Sequence, residues 1–543
     1  MKNRFYDLII KGGQIVDGSG NPWYKADIGI KEGKIKAIGS LHEALGDRCI
    51  QASGMVVSPG FIDLHNHSDL NILARPMCES NVMQGITTAV VGNCSWSMGP
   101  INPKYSNDLR EYFAPFLLSS FNYNWDWKTL SEYYQKVQKK SIGINLAPLV
   151  GHGTLRIAVK GFSQEPLNSN EINQMKELLK QSLLDGAFGL STGLAYPPGS
   201  FAGTEELIEL GEVLKEYGGV YVSHIRNEGR DLVESIEEAI KIGKSKGIPV
   251  QISHHKAKGK SNWGKVSNTL RMLENERKNG LQIGCDVYPY IAGSTTITSI
   301  LPVWVLEGGV KAMLQRLQDE DQRERIKKDF MGDNIKGGND IKDAGFGGIF
   351  IAACEKKEYE GKSLMQIIEK KKRKEEPFEV LFDLLLELKG NATVNKFFID
   401  EQDMQTVLIH PISAIVTDSW ATNPKANEKP HPRTYGTFPR VLGQYVREKK
   451  ILRLEEAIRK MTSYPASIIG LKERGLLIPG YWADIVVFNP DTIIDRATFE
   501  DPNQYPYGIE YIIVNGRIAV DKGNLLPEGY GKIIRSDFVN SQI

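Results

Sequence analysis

Two patterns of apolar and polar positions divide this chain. Near both ends the pattern alternates over short runs broken by glycine and proline. Asp7-Leu8-Ile9-Ile10, Gln14-Ile15-Val16-Asp17, Ala26-Asp27-Ile28-Gly29-Ile30 and Lys34-Ile35-Lys36-Ala37-Ile38 predict strands. Ala483 to Phe488 and Tyr511 to Gly516 repeat that texture after residue 475. Neither segment alone is large enough for a good core. Residues 1–57 and 475–543 are therefore expected to build one small β-sandwich together.

Between them, strand-like runs alternate with helix-like ones. The runs are the one ending at Leu64, Thr87–Val91, Asn145–Val150, Phe188–Ser191, Val220–Ser223, Val250–Ser253, Ile283–Val287 and Ala414–Thr417. Asn170–Asp185 and Asp231–Lys246 carry apolar residues three and four apart, as amphipathic helices do. Repeated βα units imply a parallel sheet. Eight of them favour a closed (β/α)8 TIM-type barrel over residues 58–474. Residues from about 305 to 395 interrupt the alternation. They are charge-dense, poor in strand signals, and predict a helical insertion placed as a lid over the barrel mouth.

Composition narrows the partners. The 543 residues are 41% hydrophobic and 24% charged, with a formal net charge of +1. That balance gives no footprint for nucleic acid and none for an anionic membrane. No run approaches the ~18–20 apolar residues of a membrane span. The N-terminus lacks a signal-peptide core. The five cysteines (49, 78, 94, 285, 354) are scattered without a CxxC pair. This predicts a reducing compartment, hence a cytoplasmic protein without disulfides.

The chemistry gathers at strand ends. Ser58-Pro59-Gly60-Phe61-Ile62-Asp63-Leu64 leads into His65-Asn66-His67. Residues i and i+2 of a strand share a face, so the two imidazoles project together. The second run ends in Gly92-Asn93-Cys94, the fifth in Ser223-His224, the sixth in Ser253-His254-His255-Lys256, and the eighth in Thr417-Asp418. Taken singly, Cys94 reads as a small buried apolar residue, each histidine as a satisfied polar group, and Asp418 as a helix N-cap. Taken together, these residues stand where the catalytic groups of a barrel converge. His254 follows its strand as His224 does, so it is expected to be the ligand and His255 to turn away. Asp418 is a fit proton carrier beside a metal.

With these residues assembled, the chain resembles the amidohydrolase superfamily and, within it, the D-aminoacylase (N-acyl-D-amino-acid deacylase) family. The motifs run nearly the whole length. The Gly92-Asn93-Cys94, Ser253-His254-His255-Lys256 and Pro430-His431-Pro432-Arg433 motifs look specific to that branch. Val150-Gly151-His152-Gly153-Thr154-Leu155-Arg156, Tyr288-Pro289-Tyr290 and Gly480-Tyr481-Trp482-Ala483-Asp484 accompany them. The resemblance implies zinc held tightly by Cys94, His224 and His254, with His65 and His67 at a weaker second metal position. Asp418 becomes the acid/base, and Tyr288 polarises the scissile carbonyl. Tyr196, Lys256, Ser294 and Arg433 hold the substrate carboxylate. The implied reaction is hydrolysis of a small N-acyl-D-amino acid to a carboxylate and a free D-amino acid.

Hydantoinase-like and dihydroorotase-like relatives bridge two metals with a carboxylated lysine on the fourth strand. Here that strand reads Gly189-Leu190-Ser191-Thr192-Gly193, so a one-zinc or asymmetric site is expected. The segment Ser419 to Pro432 is longer than in the familiar D-aminoacylases. It keeps open a peptidase of C-terminal D-residues, beside a cyclic amidohydrolase and a binding protein that has lost catalysis. The preferred side chain and the oligomeric state stay open as well.

Overall fold

The structure is a computed structural model and describes residues 5–117, 121–332, 335, 337–425 and 428–536. The two chain ends share one nine-stranded sheet. Phe5–Ile15 pairs antiparallel with Tyr24–Lys31, which pairs with Lys34–Gly39. Val56–Pro59 lies parallel to the end of Phe5–Ile15 and antiparallel to Ile485–Phe488, so the termini meet there. Alternation decides the face. Leu8, Ile10, Ile28, Ile30, Val57, Ile485, Val487 and Ile513 pack into one core, as a period of two requires.

Eight parallel strands form the barrel. They are β1 (Phe61–Asp63), β2 (Ile86–Val91), β3 (Asn145–Pro148 with Val150–Gly151), β4 (Gly189–Gly193), β5 (Val220–His224), β6 (Val250–Ile252), β7 (Ile283–Val287) and β8 (Ser413–Ile415). Each pairs in parallel with the next. Closure of β8 onto β1 comes just past both strands. Asp418 N donates to His65 O at 2.9 Å and His67 N to Ser419 O at 2.8 Å. Asp63 fastens the seam by accepting from Thr417 N at 2.9 Å, from the Thr417 hydroxyl and from Asn66 Nδ2. Gly92 is demanded by a close approach. Its φ is +81°, and a Cβ there would sit 2.2 Å from Leu149 O.

The barrel and the terminal sheet are bolted together at Asp484. Its carbonyl accepts from Gly60 N at 2.8 Å, and its carboxylate accepts from Asn515 N and Asn145 Nδ2. Arg474 pairs with the same carboxylate. The two amphipathic stretches form helices Ser169–Leu184 and Leu232–Lys246. Among the described residues no helix is long and apolar enough to cross a membrane.

Between β7 and β8 the chain builds a packed unit with its own core, including Ile297, Leu317, Phe382 and Val394. It is mostly helical and adds a three-stranded antiparallel sheet, Ala292–Thr296 with Ala392–Phe397 and then Ile349–Cys354. The last two strands lie where the sequence pattern was poor in strand signals. Bulged pairing breaks the alternation between Ile351 and Ala353, which obscures the period.

Candidate metal centre

The strand ends bring the proposed ligands into one buried cluster. Cys94 Sγ lies 3.2 Å from His65 Nε2, 3.6 Å from His254 Nε2 and 3.7 Å from His224 Nδ1. Asp418 Oδ1 lies 3.4 Å from His65 Nε2 and 3.2 Å from His67 Nε2. The ligand atoms of His65, Cys94, His254 and Asp418 are all within 4.8 Å of one another. Zinc–sulfur and zinc–nitrogen bonds of ordinary length in a tetrahedron put S and N about 3.5 Å apart. The Cys94 distances match that spacing, and the donor set of thiolate and imidazole suits zinc. The residues therefore fit the metal. Cys94 and His254 belong to both halves of the cluster, with His224 on one side and His65, His67 and Asp418 on the other.

The backbone is strained at these positions. Cys94, His254 and Asp418 have φ of 52°, 35° and 51°, a region costly for side chains other than glycine. Such residues cost about 1–3 kcal/mol each and persist where surrounding structure over-determines them. Here the barrel seam holds Asp418, the Gly92 turn precedes Cys94, and Asp286 accepts from His254 N. They turn each side chain inward over the barrel axis.

Electrostatics follow from burial and close pairing. Burial pushes the Asp418 carboxyl up, but Arg433, His65 and His254 outweigh it and hold the group well below the usual carboxylate range. Burial also pushes the Cys94 thiol up, and His65 and His254 reverse that to leave it below its ordinary value. Burial holds His67 down at about 4. Tyr288 and Tyr196 are raised well above the usual phenol value, chiefly by burial, so both are neutral donors.

The carboxylate-binding candidates line the same cavity as Cys94, His224, His254 and Asp418. Arg433 Nη1 pairs with Asp418 Oδ2 at 2.8 Å, and its guanidinium lies 4.5 Å from the Tyr288 ring centre. Arg433 Nη2 donates to Ser294 O at 3.3 Å. The Ser294 hydroxyl is sealed from solvent without a hydrogen-bond partner. Lys256 Nζ pairs with Glu228 and stands 5.6 Å from the Tyr288 ring centre. The Tyr196 ring centre is 4.7 Å from that of His224. His255 turns away to the Thr269 hydroxyl at 2.8 Å. His431 accepts from Arg433 N and contacts Ala292 O at 2.9 Å, which fixes the arginine loop against the insertion.

Other functional side chains escaped the sequence. Glu228 Oε1 is 2.9 Å from His254 Nδ1, and Oε2 is 3.9 Å from His224 Nε2. One buried carboxylate thus faces the far nitrogens of both histidines, within hydrogen-bond reach of His254 alone, an arrangement that orients imidazole rings where they bind a metal. Its position four residues after His224 was the available signal. Asp286 accepts from His254 N and lies 3.7 Å from His65 Nδ1. Lys258 and Lys396, 7% and 3% exposed, share Asp340 in the cavity wall. No local pattern announced that trio, because the insertion supplies two of its three members.

The comparisons with known proteins agree with this geometry. The model of the Amidohydrolase family matches residues 404–520. A D-aminoacylase of Alcaligenes xylosoxydans xylosoxydans is 34% identical, with 94% of each chain covered. The solved N-acyl-D-glutamate deacylase of Bordetella bronchiseptica, complexed with zinc and a phosphonate mimic of the tetrahedral intermediate, is 32% identical. It superposes with a TM-score of 0.81 over 98% of this chain and 100% of its own. A D-aminoacylase with a binuclear metal centre, described by one-metal activation and second-metal attenuation, is 33% identical. Its TM-score is 0.80 over the same shares.

Proposed function

This chain belongs to the N-acyl-D-amino-acid deacylase family of the amidohydrolases, and from that premise we propose zinc-dependent hydrolysis of N-acyl-D-amino acids. The observation that carries it is the convergence of Cys94, His224, His254 and Asp418 beside a buried arginine and lysine in one cavity. Cys94, His224 and His254 are the residues to hold the zinc, with His65 and His67 at a second position. Bound there, zinc supplies Lewis acidity toward a carbonyl and a water molecule.

The chain's own residues do the rest. Asp418, kept ionised by Arg433, takes a proton from the attacking water and delivers it to the departing amine. The neutral Tyr288 hydroxyl donates to the oxygen that gains charge at the acyl carbon. Arg433 uses Nη1 on Asp418 and Nη2 on Ser294 O, leaving further donors of its fork for the substrate carboxylate. Lys256, the unpartnered Ser294 hydroxyl and Tyr196 complete that grip. A carboxylate fixed beside a chiral carbon is how the site selects D over L. The products are a carboxylic acid and a free D-amino acid. The buried free cysteines, Cys94 among them, support a reducing compartment such as the cytoplasm.

The strand pairing supports a division into a terminal unit (1–57 with 475–543) and a catalytic barrel (58–474) whose insertion at about 305–395 covers the mouth. The test of activity is a panel of N-acetyl-D- and N-acetyl-L-amino acids, dipeptides ending in D-residues, and hydantoins. The reading predicts turnover of the N-acetyl-D compounds. Preference for hydantoins or dipeptides would overturn it.

A further inference from the structure

Beside the metal cavity lies a second chamber of different character. It measures about 420 Å³, within the range of small-molecule sites. Its walls include Trp96, Phe116, Phe162, Leu301, Leu306 and Leu314. The two spaces adjoin, with Trp96, Phe116, Tyr196, Leu301 and Val303 among the residues that line both. Among the described residues, charged side chains enter it as Glu111, Lys311 and Lys389.

The position of the chamber carries the argument. Its aromatic wall abuts the metal cluster. Trp96 stands 5.2 Å from His67 between ring centres, and Tyr196 stands against His224. Trp96 also packs on Phe116 at 4.5 Å, which extends the apolar surface away from the ligands. These residues follow β2 and β4, and the insertion closes the far side. Of the carboxylate-holding residues, Lys256, Ser294 and Arg433 follow β6, β7 and β8 and stand outside the chamber's lining, whereas Tyr196, after β4, stands between the two spaces and lines both. A substrate with its carboxylate on the β6–β8 side and its carbonyl at the metal directs its acyl tail toward β2–β4. An acetyl methyl would leave most of that apolar volume unfilled.

We propose that this chamber receives a long or bulky apolar acyl group, so that the enzyme's substrates are N-acyl-D-amino acids with acyl tails well beyond acetyl. The proposal rests on the deacylase reading above. It deepens that reading, because neither D-aminoacylase nor N-acyl-D-glutamate deacylase activity specifies the tail.

The zinc-loaded enzyme should be assayed on one D-amino acid carrying N-acetyl or N-octanoyl groups. A second series keeps N-acetyl and enlarges the D side chain. The chamber predicts kcat/KM at least about tenfold higher for N-octanoyl than for N-acetyl, since one methylene in an apolar pocket is already worth about that much. Leu314→Trp, which fills the chamber, should bring the octanoyl-to-acetyl ratio close to one. Val310→Phe gives the same reading should the tryptophan variant misfold. A ratio near one in the wild-type enzyme overturns the proposal. So does a tail preference that Leu314→Trp and Val310→Phe leave intact, or a loss in both variants confined to bulky side chains. Failure of every N-acyl-D compound to turn over counts against the deacylase reading instead. Calorimetry on the Asp418→Asn protein then reads the chamber directly. Tighter binding of N-octanoyl- than of N-acetyl-D-amino acid by tenfold supports it, and equal affinity overturns it.

Discussion

The two walls of the substrate cavity solve burial in opposite ways. On the β6–β8 side every charge is matched: Lys256 with Glu228, Arg433 with Asp418, and Lys258 and Lys396 with Asp340. On the β2–β4 side Trp96, Phe116, Phe162 and the insertion's leucines enclose an apolar chamber. Taking ions out of water costs several kcal/mol each unless partners replace the solvent. Apolar burial is favourable without directional partners. The charged wall is therefore geometrically exact and intolerant of single changes, whereas the apolar wall is plastic. In the function proposed, the carboxylate is held chiefly by the first wall and the tail by the second, with the metal ligands between them.

Substitutions in and around the two walls should differ widely in effect, Cys94→Ser most of all. Cys94→Ser removes the thiolate that both halves of the cluster share. Zinc content by metal analysis should collapse, and activity should fall by at least about 10³-fold, the scale set by losing metal-assisted catalysis. Asp340→Asn leaves two buried lysines without their counter-charge and should cost about 3–5 kcal/mol of stability, read by denaturant unfolding. It should also change the pH dependence. Burial raises the Asp340 carboxyl, but Lys258 and Lys396 prevail and its folded pKa is depressed. Its contribution is thus present above the unfolded carboxylate value of about 4 and is lost as pH falls through the folded value. The variant should lack that acid-side loss.

Arg433→Lys keeps the charge and loses the fork. KM for N-acyl-D-amino acids should rise by about tenfold to a hundredfold, as loss of one charge-assisted hydrogen bond implies. The acid limb of the kcat/KM profile should stay close to its wild-type position, because the positive charge that leads in holding Asp418 down is kept. His67→Ala is expected to have the smallest effect on the tightly held zinc. A metal titration should show less zinc lost than in Cys94→Ser, and the reverse order would contradict the assignment of the primary site.

The same contrast explains what the sequence could tell. The convergence of Cys94, His224, His254 and Asp418 was readable because each stands at or within three residues of a strand run, and barrel geometry aims strand ends at one point. Glu228 lay within reach of that logic, four residues beyond His224. Asp340 and Lys396 did not. They stand in a charge-dense insertion where acids and lysines read as solvated surface, and only tertiary packing brings them to Lys258. The chamber was least legible, since Phe116, Leu306 and Leu314 look like any core residues until the fold leaves space between them. The terminal sheet was announced by its alternation, but Leu45–Gln51 was not, since Asp47, Arg48 and Gln51 lie exposed along that strand.

In the function proposed, Asp418 moves the proton at a metal centre built on Cys94, His224 and His254. The most direct test is Asp418→Asn, with zinc per chain and kcat on an N-acyl-D-amino acid measured on the same preparation. Zinc content should be unchanged and kcat lower by about 10²–10⁴-fold or more, the scale of general acid–base catalysis. Near-normal turnover with zinc still bound would contradict it.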